Sequence, residues 1–308
     1  MADPPTPPPV MARELGLSAL FVLTGERNAV MVYVSESIAE ILGYEPYDLV
    51  GKTSYLIFHP DEIPLLREIH YYALQHEKVG CIMYMRLLHQ RGFYVDCAVT
   101  YSTVYDLTVG IVTRAINGPN IIRLAATARE VVEARGGVDG ITMRRWSTSA
   151  GSRSPTASPI PRSPLPDKPW EENWVRAPPS PRTFFLLDRF TDTARIMFVS
   201  NRLLVSAAQD TSFYAIVRPQ DRIRVRQWID AAKLWAPVVY DEERTGGHGY
   251  LIFDVMKIPD LPPPNHAEPQ GTEESVRVEG QEFIRVEGIF TASSDGIAAI
   301  IAPVSEEE

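Results

Sequence analysis

Short apolar runs that alternate with polar residues, broken by segments of helical spacing, organise the first third of the chain. The alternating runs predict strands. They cover residues 17–23, 30–34, 81–88, 93–101 and 107–113. Helical spacing predicts a short helix at 35–42, ending at Gly43, and a longer one from Pro60 to about His76. The order is two strands, small helices and three strands, so the sheet must bury one face on those helices.

The same order returns after residue 183. Strands are predicted at 184–190, 195–201, 250–258, 282–291 and 296–304, with helices at 203–208 and 217–235. In both halves a proline opens the longer helix and an acid lies within its first turn. Ser35 and Ser200 occupy matching positions at the close of the second strand. A repeat longer than about 100 residues indicates two copies of one fold.

Composition separates these two units from their surroundings. The predicted organisation is a Pro-rich disordered tail at 1–14, a first domain at 15–117, a connecting helix at 118–135, a Ser/Pro/Arg-rich linker at 136–182, a second domain at 183–304 with a disordered insertion at 259–280, and an acidic tail at 305–308. The helix at 121–132 packs on its own sheet or, alternatively, docks on another chain or couples the domains.

Three Ser-Pro pairs in the linker, at Ser154, Ser158 and Ser163, are candidates for proline-directed phosphorylation. The alternative is a solvated linker that is not modified.

Charge and cysteine content limit the function classes. The net charge of −9 in 308 residues argues against a nucleic-acid-binding surface, because such surfaces cluster Lys and Arg. Two cysteines are too few for a disulfide framework. The N-terminus lacks the features of a secretory signal, and no apolar run is long enough to span a bilayer. We therefore expect a soluble protein of the cytoplasm or nucleus without membrane contact.

Residues 41–74 (ILGYEPYDLVGKTSYLIFHPDEIPLLREIHYYAL) and 83–101 (MYMRLLHQRGFYVDCAVTY) resemble a PAS domain. They are most similar to PAS domains of animal basic-helix-loop-helix PAS transcription factors and of fungal white-collar-type regulators. The second unit is a degenerate match that rests on the repeat. The resemblance implies an α+β fold of two PAS domains. Each would have a five-stranded antiparallel sheet with short helices on one face, often a small pocket between them, and a surface that mates with another PAS domain.

No catalytic group emerges from the sequence, so we expect no enzyme. Where flavin-binding PAS domains carry a reactive cysteine, this chain reads GKTSYLIFHP, which argues against a flavin adduct. Haem ligation would rest on His70 alone, and a lone helix histidine is more often packed or exposed. Cys81 and Cys97 are expected to be small core residues. We predict no cofactor and no metal.

Two surfaces are candidates for binding. Met83, Met85 and Leu87 share one face of a strand and would line a pocket, the alternative being a filled core. Phe93, Val95, Val99 and Tyr101 share one face of the next strand and are the candidate interaction face. That strand is apolar on its other face as well, so both faces need cover. The register of the hairpin decides which face points inward.

The sequence therefore favours a regulatory protein that acts by PAS–PAS association in signalling or transcriptional control, with a PAS-containing partner or a second copy. The alternative is a sensor whose first domain binds a small ligand and changes that association.

Overall fold

The computed structural model describes residues 17–115, 128–133, 174, 176, 178–207, 209–234, 238–240, 243–245, 248–257 and 282–304. The predicted tails at 1–14 and 305–308, the insertion at 259–280 and the three Ser-Pro sites at Ser154, Ser158 and Ser163 lie outside these residues. The chain divides into two compact units: domain 1, which runs to residue 177 and includes Ser293–Asp295, and domain 2, which comprises the other residues from 178 onward. In the part of the chain described, no helix combines the length and apolarity needed to cross a membrane.

Domain 1 is a curved sheet with helices on one face. Its strands are β1 (Ser18–Thr24), β2 (Met31–Val34), β3 (Cys81–Leu88), β4 (Tyr94–Val104), β5 (Leu107–Arg114) and β6 (Glu130–Glu133). Its helices are α1 (Ile38–Leu42), α2 (Pro46–Leu49) and α3 (Ile63–Gln75), with 3-10 turns at Ser54–Ile57 and Pro60–Glu62. The strand order is β2-β1-β5-β4-β3-β6. The predicted α+β class is confirmed.

The sixth strand corrects the sequence prediction. A helix was expected through Val132, yet residues 130–133 form β6, which pairs in parallel with β3. The described sheet of domain 1 therefore has six strands rather than five. The physical reason is local: the β-branched pair Val131–Val132 favours extended backbone, and the edge of β3 offers unpaired backbone groups to receive it.

Local signals in the helices of domain 1 act partly as predicted. Helix α1 ends at Gly43, whose backbone has a φ of 79°, the left-handed conformation that glycine adopts without strain. His59 accepts a hydrogen bond from the amide of Asp61 through Nδ1 (3.3 Å) and so caps the turn that precedes α3. Ser37 makes no side-chain cap at the start of α1, whereas Glu45 and Asp48 form a capping box at the start of α2.

Domain 2 has the same strand order in its main sheet. Its strands are β7 (Thr183–Leu187), β8 (Ile196–Val199), β9 (Val238–Tyr240), β10 (Glu243–Thr245), β11 (His248–Met256), β12 (Phe283–Ala292) and β13 (Ile297–Pro303), and its helices are α4 (Phe213–Ile216) and α5 (Arg222–Lys233). The order β8-β7-β13-β12-β11 matches β2-β1-β5-β4-β3 of domain 1 strand for strand.

A serine hydroxyl closes the first hairpin in both domains. Ser35 Oγ accepts a hydrogen bond from the Leu20 amide (2.7 Å), and Ser200 Oγ accepts one from the Phe184 amide (3.0 Å). The helix predicted at 203–208 does not form in the described residues 203–207. Asn201 Oδ1 instead accepts a hydrogen bond from the Leu203 amide, a side-chain turn that competes with helix formation.

Candidate functional site

An apolar cavity of about 60 Å³ lies inside domain 1, between the sheet and helix α3. Met83 and Leu87, two of the three predicted pocket residues, line it, together with Phe21 and Val99. Met85 lies on the same face of β3 and is buried in the core without lining the cavity. The space is less than half of an engineered cavity of roughly 150 Å³ that holds benzene. It therefore suits a molecule of only a few non-hydrogen atoms.

Thr108 places a buried polar side chain in the cavity wall. Its side chain is 4% exposed, and its hydroxyl oxygen is buried without a hydrogen-bond partner in the described structure. A buried hydroxyl that makes no hydrogen bond costs about 1–3 kcal/mol. A bound molecule that hydrogen-bonds Thr108 Oγ1 would recover part of that free energy.

His70 lines the cavity from helix α3 and is held in one orientation. Its Nε2 lies 3.0 Å from the carbonyl oxygen of Glu26, and its ring stacks on Trp174, with centroids 5.6 Å apart. Burial lowers the pKa of His70 to about 4. The ring is thus neutral at pH 7, with the proton on Nε2 donated to the carbonyl.

A row of inward side chains crosses the sheet beside the cavity. Tyr101 of β4 lies opposite Cys81 of β3, which lies opposite Glu130 of β6. Tyr101 lines the cavity, and burial holds the pKa of its hydroxyl well above 10. Burial also raises the pKa of the Cys81 and Cys97 thiols to about 12, so both cysteines are protonated core residues.

The cavity wall carries no formal charge. Within the described structure none of its lining residues is Asp, Glu, Lys or Arg, and no group of three or more His, Cys, Asp or Glu side chains could hold a metal ion. Moving an ion into such a site without a counter-charge is unfavourable. The site therefore selects for an uncharged molecule.

The predicted interaction face on β4 points largely inward. Val99 and Tyr101 are buried and line the cavity, and Val95 packs against the core. Only Phe93, just before β4, is exposed, with its ring stacked on His89. The hairpin register pairs Leu88 with Tyr94, which sends the odd-numbered residues of β4 to the helix side. Val99 and Tyr101 therefore cannot form a surface for a partner.

Side chains on the opposite face of the same sheet are buried as well. Leu20, Val22 and Ile111, which alternate with the inward residues of β1 and β5, are at most 3% exposed. The expectation that both faces need cover fits these values.

Four exposed apolar or aromatic side chains lie on or next to edge strand β2, with the consecutive residues Val32 and Tyr33 on opposite faces of that strand. Val32 and Tyr33 of β2 are 50% and 40% exposed, and Tyr47 and Val50, on α2 and at its end, are 79% and 42% exposed. Backbone hydrogen bonds from Met31 to Lys52 and from Gly51 to Met31 hold the end of α2 alongside β2. These four residues form what we name the β2 patch. Apolar and aromatic groups clustered at a surface are typical of binding sites.

Aromatic packing fills the centre of domain 2. Phe213 of α4 is fully buried and contacts Phe185, Phe253 and Phe290 edge-on, with ring centroids 5.3–6.4 Å apart. Such a cluster stabilises the core of domain 2.

Sequence reasoning missed Thr108, the inward orientation of His70 and the β2 patch. A threonine in an alternating strand carries no signal that its hydroxyl is orphaned. The position of His70 between Ile69 and Ala73 in the apolar stripe of α3 was the one hint available.

The PAS fold is the family description whose profile matches this chain, over residues 31–112. The Period circadian protein of Hyalophora cecropia is 22% identical over 97 residues, covering 32% of this chain and 26% of that protein. Single-minded homolog 2 of Homo sapiens is 33% identical over 98 residues, covering 32% of this chain and 14% of that protein. The matched segment thus spans about a quarter or less of each relative.

Two solved structures match about a third of the chain. The PAS-B domain of Drosophila melanogaster Cycle with bound ethylene glycol is 14% identical, covers 32% of this chain and 97% of its own, and has a TM-score of 0.27. The RpfR quorum-sensing receptor PAS domain of Cronobacter turicensis, in complex with BDSF, is 13% identical, covers 32% and 94%, and has a TM-score of 0.29.

Proposed function

We propose that this chain, in which residues 31–112 form a PAS domain similar to segments of Period and Single-minded proteins, is a regulatory protein that acts by association with another PAS domain. The β2 patch is the observation that carries the proposal. It is apolar and aromatic, and it lies on the matched domain. Its occupant is a PAS domain of a second molecule. The output belongs to signalling or transcriptional control.

The proposal assigns the chain no catalytic step, no resident cofactor and no DNA-binding surface of its own. Its two cysteine thiols are buried and protonated, which removes the most reactive nucleophile type from use. The net charge of −9 disfavours phosphate backbones. The partner therefore supplies the DNA contact. The association itself takes place in the cytoplasm or in the nucleus.

Charge placed in the β2 patch should weaken association. We expect Val50→Asp and Tyr47→Asp each to weaken it at least about tenfold, because a carboxylate would be desolvated at an apolar interface. Sedimentation equilibrium of the purified chain measures self-association. Ile223→Asp on domain 2, at a residue 73% exposed, is the matched control and should change nothing.

The same patch can be used to test for a partner other than a second copy of this chain. A photo-crosslinking amino acid at Tyr47 should form an adduct with a PAS-containing protein in cells. A chain that is monomeric at tens of micromolar and gives no such adduct would overturn the association proposal.

A second candidate function is sensing of a small uncharged ligand by domain 1. The unpartnered hydroxyl of Thr108, in a cavity wall without charged side chains, favours it. Ligand binding would supply the missing hydrogen bond and change the packing of the cavity wall. The probe chosen is propan-1-ol, which carries one hydroxyl, with xenon as an apolar reference.

Replacing Thr108 by Val should have opposite effects on stability and on alcohol binding. Without ligand, we expect the free energy of unfolding to rise by about 1 kcal/mol, because the buried orphan hydroxyl is removed at nearly constant shape. Propan-1-ol affinity should fall at least about threefold while xenon affinity is unchanged. NMR shifts of the Met83 methyl report both ligands, and Thr108→Ser is the control that keeps the hydroxyl. Equal alcohol affinity in Thr108→Val and the parent chain would contradict the sensor function.

A further inference from the structure

Strand β6 extends the sheet from outside the fold that domain 1 shares with domain 2. It pairs in parallel with β3, whereas the other pairings of this sheet are antiparallel. It lies at the end of the sheet, next to β3. The equivalent strand of domain 2, β11, is an edge strand. Addition of an extended segment to a sheet edge is a general mode of peptide recognition, in which alternate side chains provide specificity.

Alternate residues of this segment enter the core. Ala128, Glu130 and Val132 are buried, whereas Arg129 and Val131 are partly exposed. Val132 lies opposite Met83, which itself lies opposite Val99, so it supports two residues of the cavity wall from the far side of β3. The edge of β3 thus offers an apolar position that a β-branched side chain fills.

The other inward position is selective for a carboxylate. Glu130 Oε1 accepts a hydrogen bond from Lys78 Nζ, and both side chains are largely buried. Lys78 is also within 5.0 Å of the Tyr72 ring centroid, so its ammonium group is held in place on domain 1. The second carboxylate oxygen, Glu130 Oε2, has no hydrogen-bond partner in the described structure. The segment is therefore recognised by charge but is not fully satisfied, a combination that suits an exchangeable strand.

We infer that the outer edge of β3 is a strand-docking site for an extended segment with a carboxylate opposite Cys81 and a β-branched apolar residue opposite Met83. Residues 128–133 of this chain are its occupant in the structure, and the same segment supplied in trans takes their place when they leave. The docking site and the β2 patch lie at opposite edges of the sheet. If no binding is found at one of them, binding at the other can still be measured.

The first experiment opens the site in the full chain. Val132→Asp should release β6, seen as faster hydrogen exchange at residues 130–133 while the amides of β4 stay protected. A fluorescent peptide of residues 127–134 should then bind saturably, at least about tenfold more tightly than to the unmodified chain, whose site is filled. Val131→Thr is the control, because Val131 lies on the other face of β6 and is partly exposed, and this β-branched substitution should leave the site closed.

Charge exchange tests the recognition itself. Adding Lys78→Glu to the Val132→Asp chain should weaken binding of the peptide at least about tenfold, and a peptide carrying Glu130→Lys should restore it. If Val132→Asp unfolds domain 1, a chain with residues 128–133 replaced by a Gly/Ser segment of equal length opens the same edge. A folded chain with an open edge that binds no peptide, or binds both peptides alike, would refute the inference.

Discussion

Domain 1 is expected to lose about 2 kcal/mol of stability when the pH falls from 7 to 5, through His70 alone. Burial lowers the pKa of His70 to about 4, against about 6.5 in an unfolded chain. The unfolded state therefore binds a proton more readily than the folded state in this range. The stability contributed by the neutral ring is fully present above pH 6.5 and is lost as the pH falls toward 4, to a total of about 3 kcal/mol.

Burial is the main cause of this shift, and two nearby groups modify it. The hydrogen bond to the Glu26 carbonyl raises the pKa of His70, and the positive charge of Arg176 lowers it. His70→Gln removes the titration, so the variant should lose less stability than the parent chain over the same pH interval. Native-state hydrogen exchange of the β4 amides in domain 1 measures both. Equal pH dependence in His70→Gln and the parent would show that His70 does not carry it.

Gly110→Ala is expected to destabilise domain 1 by about 3 kcal/mol or more. Gly110 of β5 lies opposite Phe21 of β1 and Tyr101 of β4. An added Cβ would overlap the Phe21 ring and the backbone carbonyl oxygen of Thr100. The carbonyl belongs to a paired central strand and cannot move aside, so the sheet itself would have to shift. Because Phe21 and Tyr101 line the cavity, the same substitution should also change its shape.

A second glycine provides the comparison for this variant. Nothing lies within 4 Å of a Cβ added at Gly51, where the cost comes only from a backbone φ of +82°. Gly51→Ala should therefore cost about 1 kcal/mol. Phe21→Leu combined with Gly110→Ala should be less destabilising than the sum of the two single changes, because the smaller side chain yields space. Urea unfolding followed by hydrogen exchange in β5 measures these differences. Equal losses for Gly51→Ala and Gly110→Ala would show that close packing at Gly110 does not control stability.

Alternation and turn residues were enough to predict most elements. The five strands that the two domains share and the end of α1 at Gly43 follow from local sequence, because a half-buried strand and an amphipathic helix impose different periods on apolar residues. Strands β6, β9 and β10 were not predicted. The match between Ser35 and Ser200 was visible as a repeat and corresponds to the same hydrogen bond in each domain. The helix predicted at 203–208 failed where the side chain of Asn201 competes for a backbone amide.

The pair Val131–Val132 shows the limit of periodicity in a short segment. Two adjacent apolar residues after Ala128 fit a helix stripe and a strand equally well, and the open edge of β3 decides between them. The local sequence pattern cannot predict that β6 pairs with β3, because the two segments are almost 50 residues apart.

By itself, the sequence determined an α+β chain with two units of the same strand order, apolar on both faces of the first sheet. Tertiary structure alone decided which face of β4 points inward, that Thr108, His70 and Tyr101 share one cavity, and that Glu130 reaches Lys78 across the edge of β3. The physical reason is that the period of a strand is local, whereas hairpin register, cavity shape and ion pairing depend on residues brought together from distant parts of the chain.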